Sequence, residues 1–249
     1  MLFRNPLEQF LIFDIFSISF LSNKVSLTNI GLYLIISLTL IIILSQLVLN
    51  IKSVIGNKSL LIKESIYDTV HKIVKDQIGE ENEIYLPYLY TLFILVLTSN
   101  LIGMIPYSFT STSHLALTLS MSVSILIGVT IIGIQKHKLV FFSLLVPSGT
   151  PTGLVPLLVI IETISYVARA VSLGVRLGAN MIAGHVLLKI LAGFIYKFIK
   201  TSYLTLIIGL LPMFIFTLLV GLELGISVLQ GIVFVILTSS YIKDAIALH

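Results

Sequence analysis

The run TSYLTLIIGLLPMFIFTLLVGLELGISVLQGIVFVILTSSYI, residues 201–242, decides the fold class because its only charged residue is Glu223. A helix that crosses the hydrocarbon core of a bilayer needs about 20 apolar residues. At about 1.5 Å per residue, this run would form roughly 60 Å of helix, twice the thickness of that core. The sequence therefore predicts a membrane helix that is steeply tilted or is broken at Pro212, Gly221 or Gly225.

Three further long stretches contain no Asp, Glu, Lys or Arg at all, namely residues 25–51, 84–135 and 139–161. Only 10% of the chain is charged, its mean hydropathy is +1.11, and a soluble domain carries about 25% charged residues. The runs are continuous rather than alternating, which argues against a membrane β-barrel. We therefore predict an all-α polytopic membrane protein with about five or six spans.

The predicted organisation is a single membrane domain, 1–249, in which apolar runs and polar breaks mark the segments. At 59–78, apolar residues recur three and four positions apart while charged residues fill the other face, as in a helix lying on a membrane or against a partner. The predicted segments are one or two N-terminal spans including 27–49, the amphipathic surface helix 59–78, a membrane hairpin at 84–135, a short inserted segment at 139–156, and long tilted helices at 157–200 and 201–244.

Charge and cysteine content exclude several functions. The net charge of +4 is small and the basic residues are interleaved with acids, so no nucleic-acid partner is expected. The chain has no Cys, which excludes disulfides and thiolate metal sites, and we expect neither a metal nor a cofactor. Glu8 and Asp14 near the start predict insertion without a cleaved presequence.

Ionisable residues within the apolar runs are the candidate functional residues, because charge inside a membrane is costly. Glu162, Arg169 and Arg176 are seven residues apart and share one helix face, which Asn180 extends, whereas His185 points elsewhere. The other candidates are Glu223 with Gln230 seven residues later, and Asp244 near the end of the last run.

Arg176 is the strongest candidate because small residues surround it and let another helix come close. Its guanidinium stays protonated, so it is a fixed positive barrier rather than a proton carrier. The alternative is a structural ion pair with Glu162 or Glu223. His185 titrates in the range of a proton relay or is a packing residue, and Asn180 and Gln230 are path residues or interhelical hydrogen-bond partners.

Residues 161–185, IETISYVARAVSLGVRLGANMIAGH, resemble the core of the F-type ATP synthase subunit a family. Residues 229–231 and 238–245 resemble its last helix, and the resemblance extends over residues 64–249. The combination of His185 with Glu223 is similar to mitochondrial members, especially fungal ones.

This resemblance implies a long, tilted C-terminal helical hairpin that wraps a ring of c subunits. It implies that Arg176 is the essential coupling arginine. It assigns His185, Glu223, Asn180 and Gln230 to a proton half-channel from the intermembrane side. Glu162 and Asp244 are assigned to a matrix half-channel, with Arg169 as an auxiliary residue.

The implied partners are the c-ring, peripheral stalk subunit b, small membrane subunits and the lipid bilayer, in the mitochondrial inner membrane. The chain lacks a G-x-x-x-x-G-K-[ST] loop, so ATP chemistry is expected in partner subunits and not in this chain alone. The main alternative is an ion-coupled secondary transporter, which would show an internal repeat. A haem-binding subunit would need more helix-embedded His residues.

Overall fold

The computed structural model describes residues 6–20, 23–49, 58–105, 108–138, 140–141, 152–201 and 203–246. Its α-helices are α1 (Asn29–Leu49), α2 (Lys58–Ile78), α3 (Leu86–Gly103), α4 (Leu115–His137), α5 (Val155–Thr201) and α6 (Tyr203–Ile246). Among these, α1, α3, α4, α5 and α6 include stretches long and apolar enough to cross a bilayer. The prediction of an all-α polytopic membrane protein is confirmed.

Short elements precede the first helix and lie between some of the later ones. Two strands, β1 (Asp14–Phe20) and β2 (Asn23–Thr28), form an antiparallel hairpin directly before α1, where the prediction allowed a second span. Asn29 ties the segment just before β1 to the helix, because its Nδ2 donates to Leu11 O at 3.0 Å and its Oδ1 accepts from Phe13 N at 3.3 Å. Short 3-10 helices lie at Pro6–Phe10, Glu80–Tyr85, Ser111–Ser113 and Thr152–Leu154.

The amphipathic helix α2 is covered on only part of its apolar face. Val70, Val74 and Ile78 are buried, whereas Leu61 and Ile62 in its first half are 56% and 61% exposed. Gly79 ends the helix with φ at 87°, a left-handed conformation that glycine adopts without strain. Across this turn, Lys75 Nζ lies 2.6 Å from Glu80 Oε1. The side-chain hydrogen bond and the opposite charges of this pair raise the pKa of Lys75 and lower that of Glu80.

Helices α5 and α6 are the longest elements, at 47 and 44 residues. At about 1.5 Å per residue, each is roughly twice as long as the hydrocarbon core is thick. Pro212, Gly221 and Gly225 lie inside the continuous helix α6, so none of them breaks it. The predicted inserted segment at 139–156 lies largely outside the described residues.

The chain forms two compact units. Unit 1 comprises Met1–Gln46, Leu95–His114 and Leu177–Gly231, and unit 2 comprises Leu47–Ile94, Leu115–Arg176 and Ile232–His249. Both long helices contribute to both units. Each unit holds one cluster of the ionisable residues identified in the sequence.

Candidate functional site: two polar clusters on the long helices

In unit 1, α5 and α6 bring His185 and Glu223 together. His185 Nδ1 lies 3.6 Å from Glu223 Oε1, and the two side chains are only 16% and 6% exposed. Both carboxylate oxygens and the Nε2 of His185 lack a hydrogen-bond partner among the described residues. A buried carboxyl group facing a half-buried imidazole is suited to passing a proton between two adjacent groups.

A cavity of about 390 Å³ lies beside this pair, also within unit 1. Asn180, Glu223 and Gln230 supply its polar groups, and Met181, Leu222 and several other apolar side chains complete the wall. The sequence candidates Asn180 and Gln230 therefore share one space with Glu223. The volume is sufficient for several water molecules, each of which takes about 30 Å³ of liquid.

Gly184 allows the close approach of α6 beside His185. A Cβ atom at this position would lie 2.6 Å from Glu223 Oε1 and 2.9 Å from Glu223 Cδ. Only glycine therefore leaves room for the carboxyl group in its observed position. The sequence showed a small residue here, but not which side chain it accommodates.

Asn100 on α3 joins this group, although its side chain was not among the predicted site residues. It is fully buried, and its Nδ2 donates to Ser227 O at 3.2 Å, while its Oδ1 has no partner among the described residues. Ser227 lies one helical turn after Glu223 and therefore on the same face of α6. The available signal was an amide within an apolar run, the same signal that identified Asn180.

In unit 2, Arg169 joins two acids from different helices. Its Nη2 lies 3.6 Å from Glu162 Oε1 on α5, and its Nη1 lies 3.3 Å from Asp244 Oδ2 on α6. The three side chains are 30% to 45% exposed, so this network is partly open. The structure thus brings together all three residues that the sequence identified at this end.

Two tyrosines belong to this second cluster and were missed from the sequence. Tyr241 Oη donates to the backbone oxygen of Arg169 at 3.3 Å, which links α6 to the turn of α5 that carries the cation. The Oη of Tyr166, on the turn between Glu162 and Arg169, is buried without a partner among the described residues. Tyrosine is common in membrane helices, and nothing in the sequence singled out these two.

Arg176 differs from both clusters. It lies on α5 between Arg169 and His185, its side chain is on an exposed face, and it forms no ion pair within the described part of the chain. Its two candidate structural partners are engaged elsewhere, Glu162 with Arg169 and Glu223 with His185. The guanidinium therefore has no acidic counter-charge among the described residues.

The chemistry that these groups support is proton transfer. Among the described residues, no three acid or imidazole side chains come together in a group that could hold a metal ion. The clusters offer titratable carboxyl, imidazole and phenol groups, with amides that can orient water. Among the described residues, the two long helices thus carry two clusters of titratable groups and an arginine without an acidic partner.

Comparison with known proteins identifies the family. Residues 31–243 match the family described as ATP synthase A chain. The chain is 51% identical to ATP synthase subunit a of Neurospora crassa, over 98% of this chain and 95% of that protein. It is 51% identical to the Podospora anserina protein, over 98% and 94%, and 47% identical to the Saccharomyces cerevisiae protein, over 98% and 96%. The chain therefore belongs to the ATP synthase A chain family.

Proposed function

We propose that this chain translocates protons through the membrane sector of an ATP synthase and couples their flow to rotation of a ring of c subunits. The observation that carries this proposal is the exposed Arg176, a permanent cation on a membrane helix without an acidic partner in the described part of the chain. A desolvated cation needs an opposing charge. A carboxylate of the ring supplies that charge as each c subunit passes.

Each cluster serves one half-channel. His185, Glu223, Asn180 and Gln230 pass protons from the intermembrane side to the ring, and the cavity beside Glu223 holds the water that feeds them. We add Asn100 as a supporting residue, because its Nδ2 donates to Ser227 O in the turn of α6 that follows Glu223. The ring carboxyl group then crosses the lipid in its neutral form, because a bare carboxylate in hydrocarbon is heavily penalised.

The second cluster receives the proton on the matrix side. Glu162 and Asp244 accept it, and Arg169 between them holds both carboxylates close to the path. Arg176 attracts the deprotonated ring carboxylate and repels a proton that would otherwise leak between the half-channels. Each proton that crosses 100 mV supplies about 2.3 kcal/mol, so a leak would directly reduce the energy available for rotation.

The complex surrounds this chain in the mitochondrial inner membrane, a location supported by the similarity to fungal subunit a proteins. ATP chemistry takes place in partner subunits, because this chain lacks a phosphate-binding glycine loop. The partners are the c-ring, peripheral stalk subunit b and small membrane subunits. The exposed first half of α2 is the surface that we assign to the stalk.

Replacing Arg176 tests the coupling role. Arg176→Ala should abolish ATP synthesis driven by a proton gradient, because the ring carboxylate loses its counter-charge. Arg176→Lys should also fail, because an ammonium group lacks the planar fork of the guanidinium. Synthesis is measured in vesicles containing the complete complex, with Lys197→Arg as a control. A near-normal rate in Arg176→Ala would contradict the mechanism.

Gly184→Ala tests the position of Glu223. The added methyl group would displace the carboxyl group, which can rotate away, so the helices should still pack. We expect gradient-driven ATP synthesis to fall by roughly ten- to a hundredfold, the usual effect of misplacing a reactive group by about 1 Å. Gly221→Ala is the matched control, because a Cβ atom there meets nothing within 4 Å. Equal rates in the two variants would refute this role of Gly184.

Single cysteines test the two half-channels, since the chain has no Cys of its own. Cysteine in place of Asn180 or Gln230 should react with a membrane-impermeant thiol reagent added on the intermembrane side. Cysteine in place of Ser165 or Ser240, beside the second cluster, should react from the matrix side. Labelling of all four positions from the same face would indicate a single vestibule, as in a transporter.

Replacing exposed residues of α2 tests the stalk contact. Leu61→Ser combined with Ile62→Ser should weaken retention of the peripheral stalk in the purified complex, because both side chains are exposed on this chain. Val70 is unsuitable, since it is fully buried and its replacement would disturb folding. Thr69→Ser on the same helix is the control. Undiminished stalk retention in the double variant would show that this surface rests on lipid alone.

A further inference from the structure

Helix α4 lies close against α5 at Gly174, two residues before Arg176. A Cβ atom on Gly174 would lie 2.5 Å from the hydroxyl oxygen of Ser122, 2.8 Å from the carbonyl oxygen of Thr118 and 3.1 Å from Leu119 Cα. Two of these atoms belong to the backbone of α4, so no side-chain rotation would relieve the contact. The crossing has no room for a methyl group.

The residues of α4 at this crossing have small side chains, and their hydroxyl groups are already hydrogen-bonded. Thr118 and Ser122 are fully buried, and their hydroxyl groups donate to the backbone oxygens of Leu115 and Leu119 within α4. No donor is therefore left unpaired when α5 packs against them. Small residues that allow backbones to approach closely are the main source of helix association in lipid, where the hydrophobic effect between helices is absent.

The buried and exposed faces of α5 relate this crossing to the arginine. Ala170 and Leu173 are each 2% exposed, and with Gly174 they form the buried face. A two-residue step turns an α-helix by about 200°, so Arg176 projects from the side opposite Gly174. A displacement of α5 away from α4 would therefore carry the guanidinium outward.

We propose that Gly174 is a positioning residue that sets the depth of Arg176, with α4 as the fixed wall behind it. This inference rests on the proposed coupling role of Arg176. To reach ordinary van der Waals separation, the contact with Thr118 O would have to lengthen by roughly 0.6 Å. Functional groups need to be held to within about 0.5 Å, so a methyl group at residue 174 would displace the cation by slightly more than its function tolerates.

The test is Gly174→Ala in the complete ATP synthase, with Gly128→Ala as the matched control. Gly128 lies on α4, and a Cβ atom there meets nothing within 4 Å. Gradient-driven ATP synthesis per assembled complex should fall at least about tenfold in Gly174→Ala and stay normal in Gly128→Ala. Passive proton conductance, measured in the same vesicles, should not fall in parallel, because the half-channels keep their own residues.

A loss of synthesis without a parallel loss of conductance separates positioning from general destabilisation, because a destabilised complex would lose both. Adding Ser122→Gly to Gly174→Ala removes the nearest clashing atom but leaves the contacts with the α4 backbone, so the synthesis rate should stay low. A normal rate per assembled complex in Gly174→Ala, an equal loss in Gly128→Ala, or full recovery in the double variant would overturn the inference. If Gly174→Ala does not assemble, Ser122→Thr adds one methyl group at the same crossing, and a normal rate there would overturn it.

A different result would contradict the proposed function. That result is continued ATP synthesis in Arg176→Ala, whatever the behaviour of Gly174→Ala. If Arg176→Ala is inactive and Gly174→Ala is normal, the coupling role stands and only the positioning role of Gly174 is refuted.

Discussion

A charged side chain in the centre of a bilayer loses its hydration, at a cost of roughly 2.5–3.5 kcal/mol on insertion scales. Five ionisable groups on the long helices meet this constraint inside the chain. Arg169 lies between two carboxylates, and His185 faces Glu223. Arg176 does not, because its exposed side chain has no acid beside it within the described residues. In the proposed mechanism, the counter-charge comes from a partner that meets the helix face on which this arginine lies.

The same constraint explains the hydroxyl groups of the buried helix faces. Thr118 and Ser122 of α4, and Thr238 and Ser239 of α6, are buried, and each donates to a backbone oxygen three or four residues earlier. A hydroxyl satisfied by its own helix needs no partner on the next one. These residues are therefore small enough for close packing without leaving a polar atom unpaired in lipid.

Two glycines of α5 use this close packing differently. Gly184 faces the flexible carboxyl group of Glu223, so the absence of a Cβ atom leaves room for that carboxyl group. Gly174 faces the backbone of α4, so the absence of a Cβ atom allows α5 to pack closely against α4. Both flank Arg176 in sequence. In the proposed site, the positions of Arg176 and Glu223 therefore depend on these two glycines as well as on the charged side chains themselves.

The sequence by itself determined the membrane class and nearly all of the candidate residues, because a charge within an apolar run is visible without knowing what it touches. It also indicated the amphipathic character of α2. Only the tertiary structure showed that Arg169 meets Asp244, that Asn100 reaches the backbone of Ser227, and that a β-hairpin precedes α1. Periodicity gives the face of a helix on which a residue lies. It does not give the point at which two helices cross or their rotation about their own axes, and these depend on packing between segments as far apart as 127 residues in sequence.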